Sequence, residues 1–280
     1  MDSEAVLPAE PARPAPDSTP NDEHVTTWAE LHERLFAGSW QPSLGRFRSD
    51  FAFRGLGAAE AGLPTSLARL GGPFDELEGD LLRNFRKYAG LDAVPVDSLW
   101  NWLSVARHHG LPTRLLDWSF SPYVALHFAT ANVSLYDRDA AIWCVNFNAA
   151  HALLPQRLRE LLEREGSGVF TVEMLGQAAP TLEEFDALAK APFAVFFEPP
   201  ALDARLVNQF ALFSTLSDPH ARFDEWLLAR PVCYRRLIVP AALKWEIRDK
   251  LDMANITERV LFPGLDGLSR WLGRHYMKRE

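Results

Sequence analysis

The chain has 280 residues, 48% hydrophobic and 24% charged, and a formal net charge of −8. That length can hold a sizeable core in one large domain or two small ones, and the composition is that of an ordinary globular chain. The acidic balance argues against a broad nucleic-acid surface, which needs a basic patch, but leaves room for a local basic pocket.

Residues 1–23, rich in Pro, Ala and acidic side chains without periodicity, read as a disordered tail, so the folded domain is expected over 24–280. Thr27 and Glu30 form a capping-box pattern ahead of Trp28, Leu31 and Leu35, which share a helical face. Residues 51–55 read as a strand ending in a turn, with Arg54 beside a glycine that permits close backbone approach to a ligand. Leu77, Leu81, Phe85 and Tyr88 mark an amphipathic helix. A further helix over 96–108 presents Leu99, Trp102, Leu103 and Ala106 on one face and stops at Gly110 and Pro112. Residues 113–118 alternate as a strand, with Thr113, Leu115 and Asp117 on one side and Arg114, Leu116 and Trp118 on the other. Ser121 and Pro122 then fit an N-cap and first helical position, for a helix burying Val124, Ala125, Phe128 and Ala129.

Residues 139–147 are apolar on both faces of a strand, which places them centrally in a sheet. Within them, Cys144 reads as a buried inert thiol, and with Cys233 far away in sequence neither a disulfide framework nor a zinc pattern emerges. Residues 148–192 read as a helical insertion, with Thr181 and Glu184 repeating the capping pattern. Strands follow at 193–197, 210–215 and 237–239. A helix over 241–251 and another after Asp266, with Leu268, Trp271 and Leu272 inward, close the chain. The expected architecture is a single α+β domain with a mixed or mostly antiparallel central sheet flanked by helices. No apolar run reaches membrane-spanning length and no signal-peptide core opens the chain, so a cytoplasmic location without membrane partners is expected.

The densest polar stretch lies inside an apolar one, at 105–129, where His108, His109, Arg114, Asp117 and Ser119 fall close together. Such density costs stability unless the groups pair or bind something. Arg54, at the end of its strand, can offer its planar fork to a pyrophosphate or carboxylate; equally it can anchor the fold through Asp117. His108 and His109 project about 100° apart, so one can face a pocket while the other caps helix carbonyls or meets solvent. Asp117 can orient a nucleophile or a ribose hydroxyl, or hold the turn into the Ser121 helix. Gln209 can offer its amide to a ligand or to a strand edge. No metal site is expected at the histidine pair. The nucleophile-elbow, phosphate-loop and zinc-helix motifs are all missing from the sequence.

The run 108–129, HHGLPTRLLDWSFSPYVALHFA, resembles the signature of the FRG domain family, named for a Phe-Arg-Gly motif that stands here as Phe53-Arg54-Gly55. Leu67-Ala68-Arg69, Asn208-Gln209 before Phe213, and the stretch from Leu261 to Leu268 agree with it. FRG domains are similar in layout to ADP-ribosyltransferases, which place an Arg on one strand, a Ser or Thr strand leading into an Ala- and Phe-rich helix, and a Glu on a late strand. The resemblance implies an ADP-ribosyltransferase-like fold and NAD as substrate, with transfer or NAD glycohydrolase activity. It implies a dinucleotide held by Arg54, Gly55, His108, Thr113, Arg114 and Ser119, with His109, Asp117 and Gln209 around the nicotinamide ribose. The acceptor, protein or nucleic acid, is left open, and a setting in bacterial defence fits the family. Gln209 stands where transferases carry Glu, which weakens stabilisation of a ribosyl cation; Asp117 is the candidate substitute. The alternatives are a non-catalytic nucleotide- or protein-binding module, and a polar block that is internal scaffolding.

Overall fold

The computed structural model describes residues 19–278; residues 1–18 of the expected tail lie outside the described residues. The strands are β1 (Asp22–His24), β2 (Trp40–Gln41), β3 (Arg46–Phe47), β4 (Phe51–Leu56), β5 (Leu116–Ser119), β6 (Ala140–Asn146), β7 (Phe170–Thr171), β8 (Ala194–Glu198), β9 (Ala211–Leu216) and β10 (Tyr234–Val239). The first helices are α1 (Trp28–Phe36), α2 (Phe74–Ala89), α3 (Leu99–His108), α4 (Pro122–Ala129), α5 (Phe147–His151) and α6 (Gln156–Glu165). They are followed by α7 (Val172–Ala178), α8 (Leu182–Asp186), α9 (Ala204–Asn208), α10 (Phe223–Leu228), α11 (Lys244–Met253), α12 (Glu258–Leu261) and α13 (Leu265–His275).

Eight strands form one mixed sheet in the order β1-β10-β6-β4-β5-β9-β8-β7, while β2 and β3 pair separately as a hairpin. The interior pairings are antiparallel, and the two edge pairings, β1 with β10 and β7 with β8, are parallel. The expected α+β class with a mostly antiparallel sheet is the one observed. β6 occupies the interior because Ala141 to Val145 are fully buried on both faces. Burial also pushes the Cys144 thiol up to about 12, which keeps it unreactive at neutral pH. On one side of the sheet α1, α4 and α11 cover β4, β6 and β10, with Leu31, Phe53, Ile142, Leu237 and Ile247 in a common core. On another part of the sheet α3, α6, α7 and α8 share a core with β8 and β9, including Trp100, Leu158, Phe185 and Phe197. The segment 148–192 is helical as expected, yet it also adds the edge strand β7 and accepts the Trp100 indole N–H at the Ala179 carbonyl, 2.9 Å.

Local chemistry explains the helix starts. The Thr27 hydroxyl accepts the Glu30 N–H, and the Glu30 carboxylate reaches back to the N–H and hydroxyl of Thr26, one residue earlier than a standard capping box. The Ser121 hydroxyl accepts the Val124 N–H, with Pro122 in the first turn of α4.

Three expectations change. Residues 19–23 are part of the fold: Asp22 and Glu23 lie in β1, and Asp22 meets Arg236 at 2.6 and 2.8 Å. Acidic composition suggests a tail only when the carboxylates have no buried cation to answer, and Arg236 is 1% exposed. The strand expected from 113 begins at Leu116, because Thr113 and Arg114 are held by Ser66 and Glu78 before any ladder forms. In α13 the buried residues are Gly267 and Arg274, while Leu268 and Leu272 are 38% and 39% exposed. Arg274 turns inward because Glu258 and Asp252 bind it, at 2.6 to 2.9 Å. A Cβ on Gly267 would lie 1.9 Å from the Phe262 carbonyl, so that face packs tightly on the preceding turn.

The same corner holds a buried histidine. Arg248 meets His127 Nδ1 at 2.9 Å and Glu258 at 3.1 Å. Burial, with the Arg248 charge adding, takes His127 from 6.5 down to about 3, and burial takes His151 down to about 4 against the Gly168 carbonyl bond. Burial works to raise Glu258, but the Arg274 hydrogen bonds and the Arg248 charge hold it at about 2.

Removing the Asp22 carboxylate leaves a buried guanidinium without its counter-charge, so Asp22→Ala is expected to cost about 3–5 kcal/mol in urea unfolding. Acid sensitivity follows from the histidines. Below 6.5 the unfolded chain takes up protons that His127 and His151 refuse when folded, so stability falls with pH by about 1.4 kcal/mol per unit for each. Glu258 adds a second loss as pH falls from its ordinary 4.5 toward 2. Urea unfolding free energies between about pH 6.5 and pH 4.5 check this: His151→Gln should lower the slope by one histidine's share.

Candidate functional site

The strands that carry the motif residues are neighbours: Phe53 in β4 pairs with Ser119 in β5, which pairs with Ala211 in β9. Helix α4 crosses this region so closely that a Cβ on Gly55 would lie 1.8 Å from the Ala125 carbonyl oxygen and 2.7 Å from the Ala129 nitrogen. The glycine after Arg54 therefore admits a helix backbone, where approach by a ligand was expected. Its effect on the site is indirect: it seats α4 against β4, and Phe128 of α4 comes to line the cavity.

That cavity encloses about 800 Å³ between the adjoining parts of β4, β5 and β9, the C-terminal turn of α3, helix α9 and Pro263. Among the expected site residues, Arg54, Gly55, His108, His109, Asp117, Ser119 and Gln209 line it. Thr113 and Arg114 do not. Thr113 is 1% exposed and exchanges hydrogen bonds with Ser66. Arg114, 5% exposed, is enclosed by Glu78 and Asp186, each at 2.7 Å. Both carboxylates come from elements distant in sequence, so the arginine's partner could not be read from its neighbours. Strand alternation does not decide the placement of Arg114, because it lies before β5 begins at Leu116.

Asp117 is the anionic centre of the cavity. Arg107 grips it with two bonds, from Nε to Oδ1 at 3.0 Å and from Nη2 to Oδ2. Arg107 also donates to the Ser66 hydroxyl at 2.8 Å, which ties the loop before Leu67-Ala68-Arg69 to the centre. Burial alone would raise the Asp117 carboxyl; Arg107, then Arg54, hold it below the usual carboxylate range. Arg54 receives much less. Its Nη1 donates to the Asp117 backbone carbonyl at 2.5 Å and lies 3.9 Å from Oδ2, and its Nε is buried without a hydrogen-bond partner among the described residues. Burial brings the guanidinium down to about 10; Asp117 opposes this, while the charges of Arg107 and Arg69 reinforce it.

The opposite wall comes from α9. Asp203 caps it, its Oδ1 accepting the N–H groups of Arg205 and Leu206 while Oδ2 meets His108 Nε2 at 2.7 Å. His108 is thus the engaged histidine, and His109 caps α3 with an exposed side chain at the rim. Gln209 was expected at the start of a strand. It caps α9 instead, its amide donating to the Leu261 carbonyl at 2.8 Å, with Asn208 donating to Val260 at 2.7 Å. Ser119 donates to the Gln209 carbonyl and accepts the Ser121 N–H, so its hydroxyl serves the wall. Sequence reasoning missed Arg107 and Asp203. The first reads as an ordinary basic residue in a last helical turn, and the second carries only the signal of an Asp ahead of a short helix. Three guanidinium groups, Arg54, Arg107 and Arg205, face two carboxylates here, and the cavity favours an anion. Among the described residues no group of three His, Cys, Asp or Glu side chains is placed to hold a metal.

These contacts separate two kinds of arginine. Arg107→Met breaks a paired carboxylate and is expected to cost about 2–3 kcal/mol, discounted for the open side of Asp117. Arg54→Met removes a charge with an incomplete set of partners and should cost clearly less; denaturant unfolding of both variants decides it.

The FRG domain family model matches residues 49–138. No curated protein and no solved structure matches the chain significantly. The matched segment contains β4, α2, α3, β5 and α4, and with them Arg54, Arg107, both cavity histidines and Asp117. Asp203, Arg205, Gln209 and Pro263 come from outside it. Residues 49–138 of this chain are an FRG domain.

Proposed function

We propose that the cavity binds NAD, with the pyrophosphate on Arg54, as the donor site of an ADP-ribosyltransferase-like enzyme. The observation that carries this reading is Arg54 itself: a half-buried guanidinium on the cavity wall, with an unpaired Nε, whose nearest carboxylate is already claimed by Arg107. A partly desolvated cation in that state is completed by an anionic ligand, and a pyrophosphate offers the matching oxygens. The adjacency of β4, β5 and β9 further supports the reading, because it sets the Arg54, Ser119 and Gln209 segments side by side. In the transfer, the bond from the ribose to nicotinamide breaks with its electron pair leaving on nicotinamide. The acceptor then bonds to the ribose carbon and gives up a proton. His108, held by Asp203, and the exposed His109 are the groups lining the cavity that are suited to receive it.

A second reading, binding without turnover, is favoured by Gln209. Its position holds an amide already bonded to Leu261, where a transferase would present a carboxylate.

Calorimetry with NAD and chromatographic detection of nicotinamide separate the two. Saturable binding that weakens about 10- to 100-fold in Arg54→Met is expected, as for loss of a charge-assisted contact. Nicotinamide release together with this binding supports the enzyme, and binding without release at high protein concentration supports the module. Absence of any NAD binding would remove both forms of the proposal.

A further inference from the structure

The cavity mouth continues into a rim built on Phe262, which shares Arg205 and Phe128 with the cavity lining. Phe262, just before Pro263, carries two arginines from different helices: the Arg205 guanidinium carbon is 5.2 Å from its ring centroid and that of Arg270 is 5.5 Å. Both arginines are exposed, and neither side chain has a carboxylate partner among the described residues. Asp266, one helical turn before Arg270, forms no ion pair with it, and Asp203 is taken by His108 and the α9 N–H groups. Stacking on the ring holds the two forks in place while leaving their charge unneutralised.

Two further exposed aromatic residues belong to this region: Phe128 touches Phe262, and Phe210 follows Gln209, whose amide holds the Leu261 carbonyl next to Phe262. Phe128, 38% exposed, meets Phe262 edge-on at 6.1 Å and lines the cavity. Phe210, 61% exposed, sits between the cavity residues Gln209 and Ala211 with a φ of 46°, a left-handed conformation that is strained for a non-glycine residue. Its backbone is fixed on both sides, the N–H donating to Val207 and the carbonyl accepting from Phe120, so the strained residue keeps its ring in solvent. Strain that maintains an exposed aromatic at a cavity edge gains nothing for the core.

Unneutralised guanidinium groups interleaved with exposed rings match one chemistry well: phosphates for the arginines and bases for the rings. An acidic peptide would answer the arginines and leave the rings without a role. We propose that the rim formed by Arg205, Phe262 and Arg270, with Phe128 and Phe210, binds a short single-stranded nucleic-acid segment and leads it to the cavity. As a binding surface this stands alone; as the identity of the acceptor it rests on the NAD reading above. With a net charge of −8 on the chain, the contact is local and its affinity falls steeply with salt.

The test is fluorescence anisotropy of the full chain with labelled oligothymidylate, oligouridylate and a duplex of the same length, across a salt series. Single strands should bind saturably and the duplex at least about tenfold more weakly, since paired bases hide their faces. Arg270→Ala, outside the cavity, should weaken single-strand binding about fivefold and reduce the salt slope by about 0.7, leaving NAD affinity unchanged. Phe210→Ser should weaken it without changing the slope. Arg54→Met should lose NAD and keep the oligonucleotide. The two pyrimidine strands distinguish DNA from RNA as the source. No saturable single-strand binding at low salt, unchanged binding in both rim variants, or polyglutamate binding as tightly as the oligonucleotides would overturn the proposal. Oligonucleotide binding as expected in a protein that ignores NAD would sustain the surface and defeat the donor reading.

Discussion

Asp117 has one negative charge and two half-buried guanidinium groups within reach, and the geometry divides it unequally. Arg107 occupies both carboxylate oxygens, while Arg54 reaches the backbone carbonyl of the same residue and only approaches Oδ2. Much of the surrounding architecture follows from keeping these three groups in place. Helix α3 must end where Arg107 can turn back to β5, β4 must lie beside β5, and the Ser66 loop must fold over to take the remaining Arg107 donor. Gly55 completes the arrangement by letting α4 lie almost in contact with the β4 backbone. The outcome is a cavity wall with surplus positive charge set in a rigid sheet, so an anion entering it meets donors that are already oriented.

Several other buried arginines have carboxylates of their own. Arg114 has Glu78 and Asp186, Arg236 has Asp22, and Arg274 has Glu258 and Asp252. Each joins segments far apart in sequence, and each fixes the relation of a helix or edge strand to the rest at little expected net gain in stability. Arg54 has no carboxylate to itself: its Nη1 meets the Asp117 backbone carbonyl and its Nε has no partner among the described residues, whereas Arg248, which shares the unpartnered Nε, holds Glu258 at 3.1 Å. A guanidinium without its own counter-charge on a cavity wall is stronger grounds for a binding role than an unpartnered Nε taken alone.

How much of this was legible in the sequence depended on the range of the interaction. Periodicity and caps gave α1, α3 and α4 nearly as they stand, because Thr27, Ser121 and Pro122 act within one turn. The apolar run around Cys144 gave the central strand for the same local reason. Long-range pairing was not legible: nothing near Arg114 announces Glu78, nothing in an acidic N-terminal stretch announces Arg236, and Arg274 reads as a solvent-facing charge until another helix supplies Glu258. Of the site, the half from the compact block 105–129 was visible as a density of polar groups. The half from 203–209 was obscured because Gln209 precedes an apolar run and reads as its first residue, when Phe210 has in fact turned through a left-handed conformation.

The carboxylates of the cavity constrain any chemistry carried out there. Asp117 has both oxygens bound by Arg107. Asp203 gives Oδ1 to the backbone of α9 and Oδ2 to His108. Asp117 keeps an open side toward the cavity and can accept a hydroxyl there while Arg107 holds it, whereas Asp203 cannot turn without giving up His108 or unwinding the start of α9, so its charge reaches the cavity through the imidazole of His108. Under the NAD reading proposed above, Asp117, whose charge is shared with Arg107 and Arg54, would support a ribosyl cation less than an unpaired Glu, which would place the burden of activation on the acceptor and on how well it is positioned.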